Sequence, residues 1–200
     1  YMMEGQRAYK NESYDESLAM FDKALGINGN LYQAHLGKGM VYRDQDEIDS
    51  MLEEFEFAKA GAQAKNDEKT LATINQAVDS YFNGIIKEEF DAIDPEEPEY
   101  EYVFEACERA LAANPENARA YYYMANVYNT QVEYDQAIDA AMKGLSYETD
   151  PLWISALNFE LGSGYQNTAD YDKACDALKK VVEEPFLTKA EKKIDVVGCN

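Results

Sequence analysis

The chain has 200 residues, a formal net charge of −21 and a composition that is 46% hydrophobic and 12% aromatic. A chain of this length buries enough surface to fold as one domain, or one elongated array, without a structural metal or disulfide. The hydrophobic content argues against disorder, and the acidity argues against nucleic acid as a partner. The charge fits either a solvated surface or attraction for a basic partner.

The three cysteines, Cys107, Cys175 and Cys199, are odd in number and widely spaced, with no CxxC pair. We therefore expect buried free thiols, no metal site and no cofactor. No window reaches the roughly 18 uninterrupted apolar residues of a membrane span, so the chain is not expected to cross a membrane. It begins at Tyr1 rather than at a methionine, which leaves a cytoplasmic location and export after loss of a leader both open.

Aromatic and small residues recur along the chain at spacings of three, four and three, which places each group on one stripe of a helix. The groups begin at Tyr14, Ile48, Tyr100, Tyr134 and Tyr171. Successive groups are 34 residues apart, except for a gap of 52 before the third and 37 before the last. This period predicts a repeat that carries one such helix per unit.

A second helix precedes each of these helices, and turn signals separate the resulting pairs. The expected spans of the preceding helices are 1–10, 33–44, 69–83, 119–130 and 152–167. Prolines at 115, 151 and 185 favour the end of one helix and the start of the next. We predict a single all-α array with repeats 1–31, 32–65, 69–117, 118–151 and 152–186, followed by the start of a further or capping helix at 187–200.

The third repeat is about 18 residues longer than the period. The extra residues fall around 64–68 and in an acidic insertion near 86–99 that contains two prolines. This composition predicts an exposed loop or a helix extension between the two helices of one repeat. Neither this segment nor "RDQDEIDS" at 43–50 has the ligand spacing and glycine of a calcium loop, so we predict no metal there.

The repeated segments resemble the tetratricopeptide repeat (TPR) family. The best local match is "LGSGY" at 161–165 followed by "YDKA" at 171–174, and "NPENARAYYYMANVY" at 114–128 with "YNTQVEYDQAI" at 128–138 is nearly as good. The resemblance covers most of the chain. It implies a right-handed superhelical α-solenoid of antiparallel helix pairs, with about four to five repeats and a concave groove lined by the first helix of each pair.

Residues that would carry catalysis are not grouped in the sequence. His35, the one histidine, lies on a predicted inter-repeat helix, where a packing role is more common. "GKG" at 37–39 lacks the spacing of a phosphate loop and fits close helix approach instead. We therefore predict a protein that is not an enzyme.

The tyrosine-rich helix 119–130 divides into two stripes. Tyr121, Met124, Ala125 and Tyr128 follow the i, i+3, i+4, i+7 pattern of a core face, whereas Tyr122, Asn126 and Asn129 are expected to face the groove. The repeat period gives the equivalent groove positions on the first helix of each other pair. The predicted partner-binding residues there are Met2, Gln6, Tyr9, Leu36, Met40, Arg43, Ile74, Val78, Tyr81, Phe159, Ser163 and Gln166.

The predicted groove residues are mainly apolar, aromatic or amide side chains, which suit contact with a protein or peptide. We do not expect a clamp for the acidic carboxylate tails of chaperones on this surface, because Met2, Leu36 and Met40 occupy positions that basic residues would need. The favoured function is a protein-interaction scaffold holding a peptide or partner segment. Two alternatives stay open: an assembly module whose groove is filled by its own terminus or a second copy, and a regulatory domain of a larger protein.

Overall fold

The computed structural model describes residues 1–199, and eleven α-helices and no strand occur in that range. In chain order they are α1 (Met2–Lys10), α2 (Tyr14–Ile27), α3 (Tyr32–Asp44), α4 (Ile48–Ala64), α5 (Glu68–Asp91), α6 (Glu101–Ala113), α7 (Ala118–Thr130), α8 (Tyr134–Tyr147), α9 (Pro151–Asn167), α10 (Tyr171–Leu178) and α11 (Phe186–Val197). The predicted all-α fold of paired helices is confirmed. The division into five repeats of a single array stays a prediction.

One helix differs from its predicted span. Helix α5 was expected over 69–83 but continues to Asp91, so it includes the first residues of the acidic insertion. The chain from 92 to 100 is non-helical and mostly exposed. The insertion is therefore a helix extension followed by an exposed connection, which are the two forms that its composition predicted.

The helices form two compact units, one from Tyr1 to Tyr81 and one from Phe82 onward. In the first unit α1 packs on α2, α2 on α3, and α3 on α4, around a core that includes Phe21 and Val41. In the second unit consecutive helices from α6 to α11 pack on one another. The first helices of successive pairs also touch there, because α9 contacts both α7 and α11. This contact brings the predicted groove stripes of α7 and α9 together.

A single type of turn joins the helices at five places. The turns place Glu12, Asp46, Asn66, Val132 and Ala169 at positive φ, between 53° and 69°. In each turn the next amide donates to the carbonyl five residues before it, as Glu133 N does to Tyr128 O at 2.9 Å. This is the Schellman end of a helix, which reverses the chain within a few residues. Glu12 and Asp46 lie one 34-residue period apart, so the period repeats the turn as well as the helix.

Glycines let paired helices approach closely. A Cβ placed on Gly39 would lie 2.4 Å from Cδ1 of Phe55, and one on Gly37 would lie 2.4 Å from Cζ of Phe21. The interpretation of "GKG" as a point of close helix approach is therefore confirmed. His35, on the same helix, stacks on Phe57 at 5.0 Å and contacts Glu54 through Nδ1 at 2.6 Å.

The prediction of three free thiols is wrong for two of the cysteines. Cys175 on α10 and Cys199, just after α11, form a disulfide with their Cα atoms 5.5 Å apart. The fold of α11 back onto α10 brings them together, and this contact cannot be read from their spacing of 24 residues. Cys107 is free and buried as predicted, and burial raises the pKa of its thiol to about 12.

Within residues 1–199, none of the helices combines the length and the apolar character needed to cross a membrane. The same residues contain no cluster of three or more His, Cys, Asp or Glu side chains that could hold a metal ion.

Val132 supplies a test of the recurring turn. It is a β-branched, largely exposed residue with a φ of 69°, a region that such residues enter only under strain. Asn adopts this region more easily, so V132N is expected to raise the free energy of unfolding by about 1 kcal/mol in urea denaturation. The exposed Val182 has no positive φ and serves as the matched control. A V182N variant that gains as much stability would contradict the role of the turn.

The close approach at Gly39 predicts a steric penalty. G39A pushes a methyl group against the Phe55 ring, and we expect a loss of about 1–3 kcal/mol in the free energy of unfolding. Gly26 on α2 has open space around the corresponding position. G26A is therefore expected to gain about 0.5–1 kcal/mol from helix propensity, measured by the same urea denaturation. Equal effects of the two substitutions would rule out close packing as the reason for Gly39.

Candidate partner-binding surface

The predicted groove residues of the second unit lie on α7 and α9, and helix α11 packs over part of them. Phe186, the first residue of α11, lies 6.0 Å from Phe159 of α9 and 6.1 Å from Tyr122 of α7, between ring centroids. Tyr122 also meets Trp153 edge to face at 5.3 Å. We call Tyr122, Trp153, Phe159 and Phe186 the aromatic cluster. It joins α7, α9 and α11 through aromatic contacts of the kind that stabilise cores and interfaces.

The assignment of Tyr122 to an open groove is wrong in this structure, because the side chain is only 9% exposed. Tyr121 and Tyr128, predicted to be core, are only half-buried. The helical period separates the two stripes of α7, but it does not show how many helices pack against each stripe. Helix α7 contacts α6, α8 and α9, and α11 covers Tyr122. Burial raises the pKa of the Tyr122 hydroxyl, with a smaller contribution from the nearby Glu160 carboxylate.

A buried carboxylate, Glu160, lies against Asn126 and Asn129, the two asparagines of the predicted groove stripe on α7. Asn126 Nδ2 donates to Glu160 Oε1 at 2.8 Å, and Asn129 Nδ2 donates to Oε2 and to the backbone oxygen of Glu160, both at 2.9 Å. Glu160 is 3% exposed. The two asparagines were expected to face a partner in the groove, but here they donate hydrogen bonds to a buried carboxylate on α9. Glu160 lies 34 residues after Asn126, and this period was the signal that could have identified the pair.

Two lysines of α11 face the same region. Lys193 Nζ donates to Gln166 Oε1 at 3.0 Å and lies 5.7 Å from the centroid of the Phe159 ring. Burial lowers the pKa of Lys193, and the charge of Glu160 opposes that shift. Burial raises the pKa of Glu160, while the two asparagines and the positive charges of Lys193 and Lys189 act in the other direction. Burial therefore disfavours the charged form of both Glu160 and Lys193, and the attraction between their charges offsets part of that effect.

Ser163 was predicted to lie on the partner-binding surface, but it is buried. It is 5% exposed, and its hydroxyl donates to the Phe159 carbonyl at 2.8 Å, within α9. A second serine on α9 binds the segment that leads into α11. Ser155 Oγ accepts from the amides of Val182 at 3.1 Å and Glu183 at 3.2 Å, which fixes the segment leading into α11.

In the first unit two predicted binding residues are buried. Ile74 is 0% and Val78 is 3% exposed, so neither is available to a partner in this structure. Both lie on α5. The insertion interrupts the 34-residue period in this repeat, so the groove-facing positions of α5 were difficult to predict. The other apolar residues, Met2, Leu36 and Met40, are half-buried, and Gln6 is exposed.

The polar residues of the first-unit stripe are engaged with one another. Tyr9 donates to Asp44 Oδ2 at 2.6 Å, and Arg43 donates to the Tyr9 hydroxyl at 3.2 Å and to Asp44 Oδ1. Burial, followed by the hydrogen bond to Asp44, raises the pKa of Tyr9 to about 12. Tyr81 donates to Asp46. The bonds Tyr9–Asp44, Arg43–Tyr9 and Tyr81–Asp46 join residues 34 or 35 apart, so they connect successive helix pairs at about the repeat period.

Paired helices, a recurring turn and hydrogen bonds at the repeat period define an α-helical repeat protein. Residues 106–139 match the family model described as tetratricopeptide repeat. This segment runs from the middle of α6 through α7 into α8. The predicted resemblance to the TPR family is therefore confirmed, and the family model locates it at α6, α7 and α8.

Several solved structures are similar to the chain. MamA has 24% identity and a TM-score of 0.45, with 98% of this chain and 92% of MamA covered. YrrB, described as a TPR protein with an unusual peptide-binding site, has 17% identity and a TM-score of 0.42 over 94% of this chain and 88% of YrrB. PilF of Pseudomonas aeruginosa has 17% identity and a TM-score of 0.39 over 90% of this chain and 73% of PilF. No curated protein matches the sequence.

The buried Glu160 predicts a specific pH dependence. Its pKa is raised in the folded state, so the stabilisation is full below the unfolded-state pKa and is lost as the pH rises through the folded-state value. The free energy of unfolding of the wild type should therefore fall relative to that of E160Q as the pH rises above about 4.3, the pKa of a glutamate in an unfolded chain. Urea denaturation at fixed ionic strength measures this difference.

The control for Glu160 is E191Q, which removes one negative charge from an exposed residue of α11. The same dependence in this variant would mean that overall charge, and not burial of Glu160, determines the slope.

Proposed function

We propose that the chain is a non-catalytic protein-interaction scaffold, and that the surface formed by α7 and α9 accommodates a helical segment of a partner protein. The observation that carries this proposal is the seating of α11 on that surface. Phe186 enters the aromatic cluster, and Ala190 and Ile194 pack with Phe159 and Leu178. These α11 residues are spaced i, i+4 and i+8, as in helices that bind in apolar grooves. The seating of the chain's own helix therefore supports a surface that accepts the apolar face of a helix.

The polar contacts support the same proposal. A partner helix that places lysines where Lys189 and Lys193 stand would bring positive charge towards Glu160. The chain carries a net charge of −21, which favours the approach of a basic segment. The asparagines that hold Glu160 keep this acceptor in place on α9 whether or not a helix covers it.

In the first unit the proposal extends to the partly exposed side chains of Met2, Leu36 and Met40, together with Gln6 and Arg43. Methionine and leucine side chains on such a surface suit adaptable contacts with a protein. Ile74 and Val78 are left out because they are buried.

The alternative function is a structural module whose surface is filled permanently by its own helix, and the contacts of α11 favour it equally. The two functions differ in one respect: a scaffold allows another helix to replace α11, whereas a structural module does not. A competing helix therefore separates them.

The test uses a labelled peptide with the sequence of residues 186–197 and an F186A/I194A variant of the full chain, in which the resident helix has lost two anchors, with all samples kept reduced so that the Cys175–Cys199 disulfide does not hold α11 in place. We expect saturable binding in fluorescence anisotropy. A control peptide with both anchor positions changed to alanine should bind at least about tenfold more weakly, because each anchor contributes about 1.5–3 kcal/mol when buried.

The matched control in the chain is V196A, since Val196 lies on α11 but is 77% exposed. This variant should bind the peptide no better than the wild type does. Circular dichroism checks that both variants remain helical. A folded F186A/I194A variant that does not bind the peptide favours the structural module.

A further inference from the structure

Helix α11 is fixed to its surface at both ends. At its beginning, the amides of Val182 and Glu183 donate to Ser155 of α9, immediately before the helix starts. At its end, Cys199 follows the left-handed C-cap Gly198 and is bonded to Cys175 of α10. Between these points lie the contacts of Phe186, Ala190 and Ile194. A helix fixed at both ends cannot leave the surface as a rigid rod.

We propose that the Cys175–Cys199 disulfide is a redox lock that holds α11 on the surface formed by α7 and α9, which we call the partner surface. When a dithiol reduces the disulfide, a helix of the same chemistry on another protein can replace α11. This inference rests on the proposed function of the α7–α9 surface and adds its regulation. Reduction breaks the Sγ–Sγ bond with two electrons and two protons from the dithiol, which becomes a disulfide. Each cysteine then carries a thiol.

The position of the disulfide determines what its reduction changes. Neither cysteine belongs to the aromatic cluster, and neither contacts Glu160 through a hydrogen bond in the described residues. Reduction therefore leaves the partner surface chemically intact and changes only how α11 is held. Closing a loop of this length opposes opening by roughly two orders of magnitude in population, and reduction removes that restraint.

The partner helix is defined by what α11 presents. It carries an aromatic residue, a small residue four positions later and an aliphatic residue four positions after that, as Phe186, Ala190 and Ile194 do. The partner helix also carries lysines at the positions of Lys189 and Lys193, because Lys193 lies 5.7 Å from the centroid of the Phe159 ring, Lys189 lies 5.8 Å from that of Phe186, and both charges favour the ionised form of Glu160. A peptide without these lysines would leave the carboxylate beneath an apolar helix, which disfavours its charged form.

The experiment measures binding of the labelled 186–197 peptide to the full wild-type chain, oxidised and after reduction with dithiothreitol. We expect at least about tenfold tighter apparent binding after reduction, because the restraint on α11 is released. C199S should bind as tightly as the reduced wild type under both conditions. C107A, which removes the buried free thiol, should behave as the wild type does and controls for unrelated thiol chemistry.

A second peptide, in which the two lysines are replaced by glutamate, tests the stated chemistry. It should bind the reduced chain at least about tenfold more weakly than the first peptide does. Equal binding of the two peptides would overturn the basic character assigned to the partner.

The outcomes distinguish a failure of the redox lock from a failure of the proposed scaffold function. Equal peptide binding by oxidised and reduced wild type, with binding by F186A/I194A retained, overturns the lock and leaves the scaffold function standing. No binding in any of these samples overturns the scaffold function itself. A reduced chain that forms a dimer in light scattering and excludes the peptide assigns the surface to α11 of a second copy, which contradicts a partner of a different kind.

Discussion

The structure depends on close contact between neighbouring helices, in which a large side chain of one lies against a glycine of another. Phe21 rests on Gly5 and Gly37, and Phe55 rests on Gly39, at distances that leave no room for a methyl group. In the second unit Leu178 lies in the same way on Gly162. Such contacts remove apolar area from water and set the separation of the helices. Because that separation recurs, hydrogen bonds also recur at intervals of 34 or 35 residues, as in the pairs Tyr9–Asp44 and Asn126–Glu160.

Much of the fold could be predicted from the sequence because its causes are local. Helical periodicity and proline signals act within a few residues, and they predicted α7 and α9 to within one residue at each end. The extent of α5 was harder to predict, because its final turns lie in an acidic segment whose composition fits both helix and loop. The Schellman turns at Val132 and Ala169 carry none of the usual glycine or asparagine signal, so only the structure shows that they match Glu12 and Asp46.

The candidate site was less predictable because its properties depend on distant parts of the chain. Periodicity places Tyr122 on a different stripe from Tyr121, but it does not show that Phe186, 64 residues later, covers one of them. Glu160 looked like an ordinary acidic residue, and its burial follows from two donors on another helix. The pairing of Cys175 with Cys199 likewise follows from the return of α11, since three cysteines allow three pairings and none is favoured by spacing.

Helix α11 occupies the surface of α7 and α9 as a ligand would, although it belongs to the same chain. A tethered helix faces its surface at an effective concentration in the millimolar range, so even modest contacts keep it bound. Each aromatic pair contributes about 0.5–1.5 kcal/mol beyond its buried area, which suits a helix that is held firmly yet remains replaceable. The disulfide adds a restraint of a different kind, because it acts on the open state and not on the contacts themselves. In the proposed scaffold, affinity and access are therefore set by different residues: Phe186, Ile194 and Glu160 would determine which helix fits, whereas Cys175 and Cys199 would determine when another helix can enter.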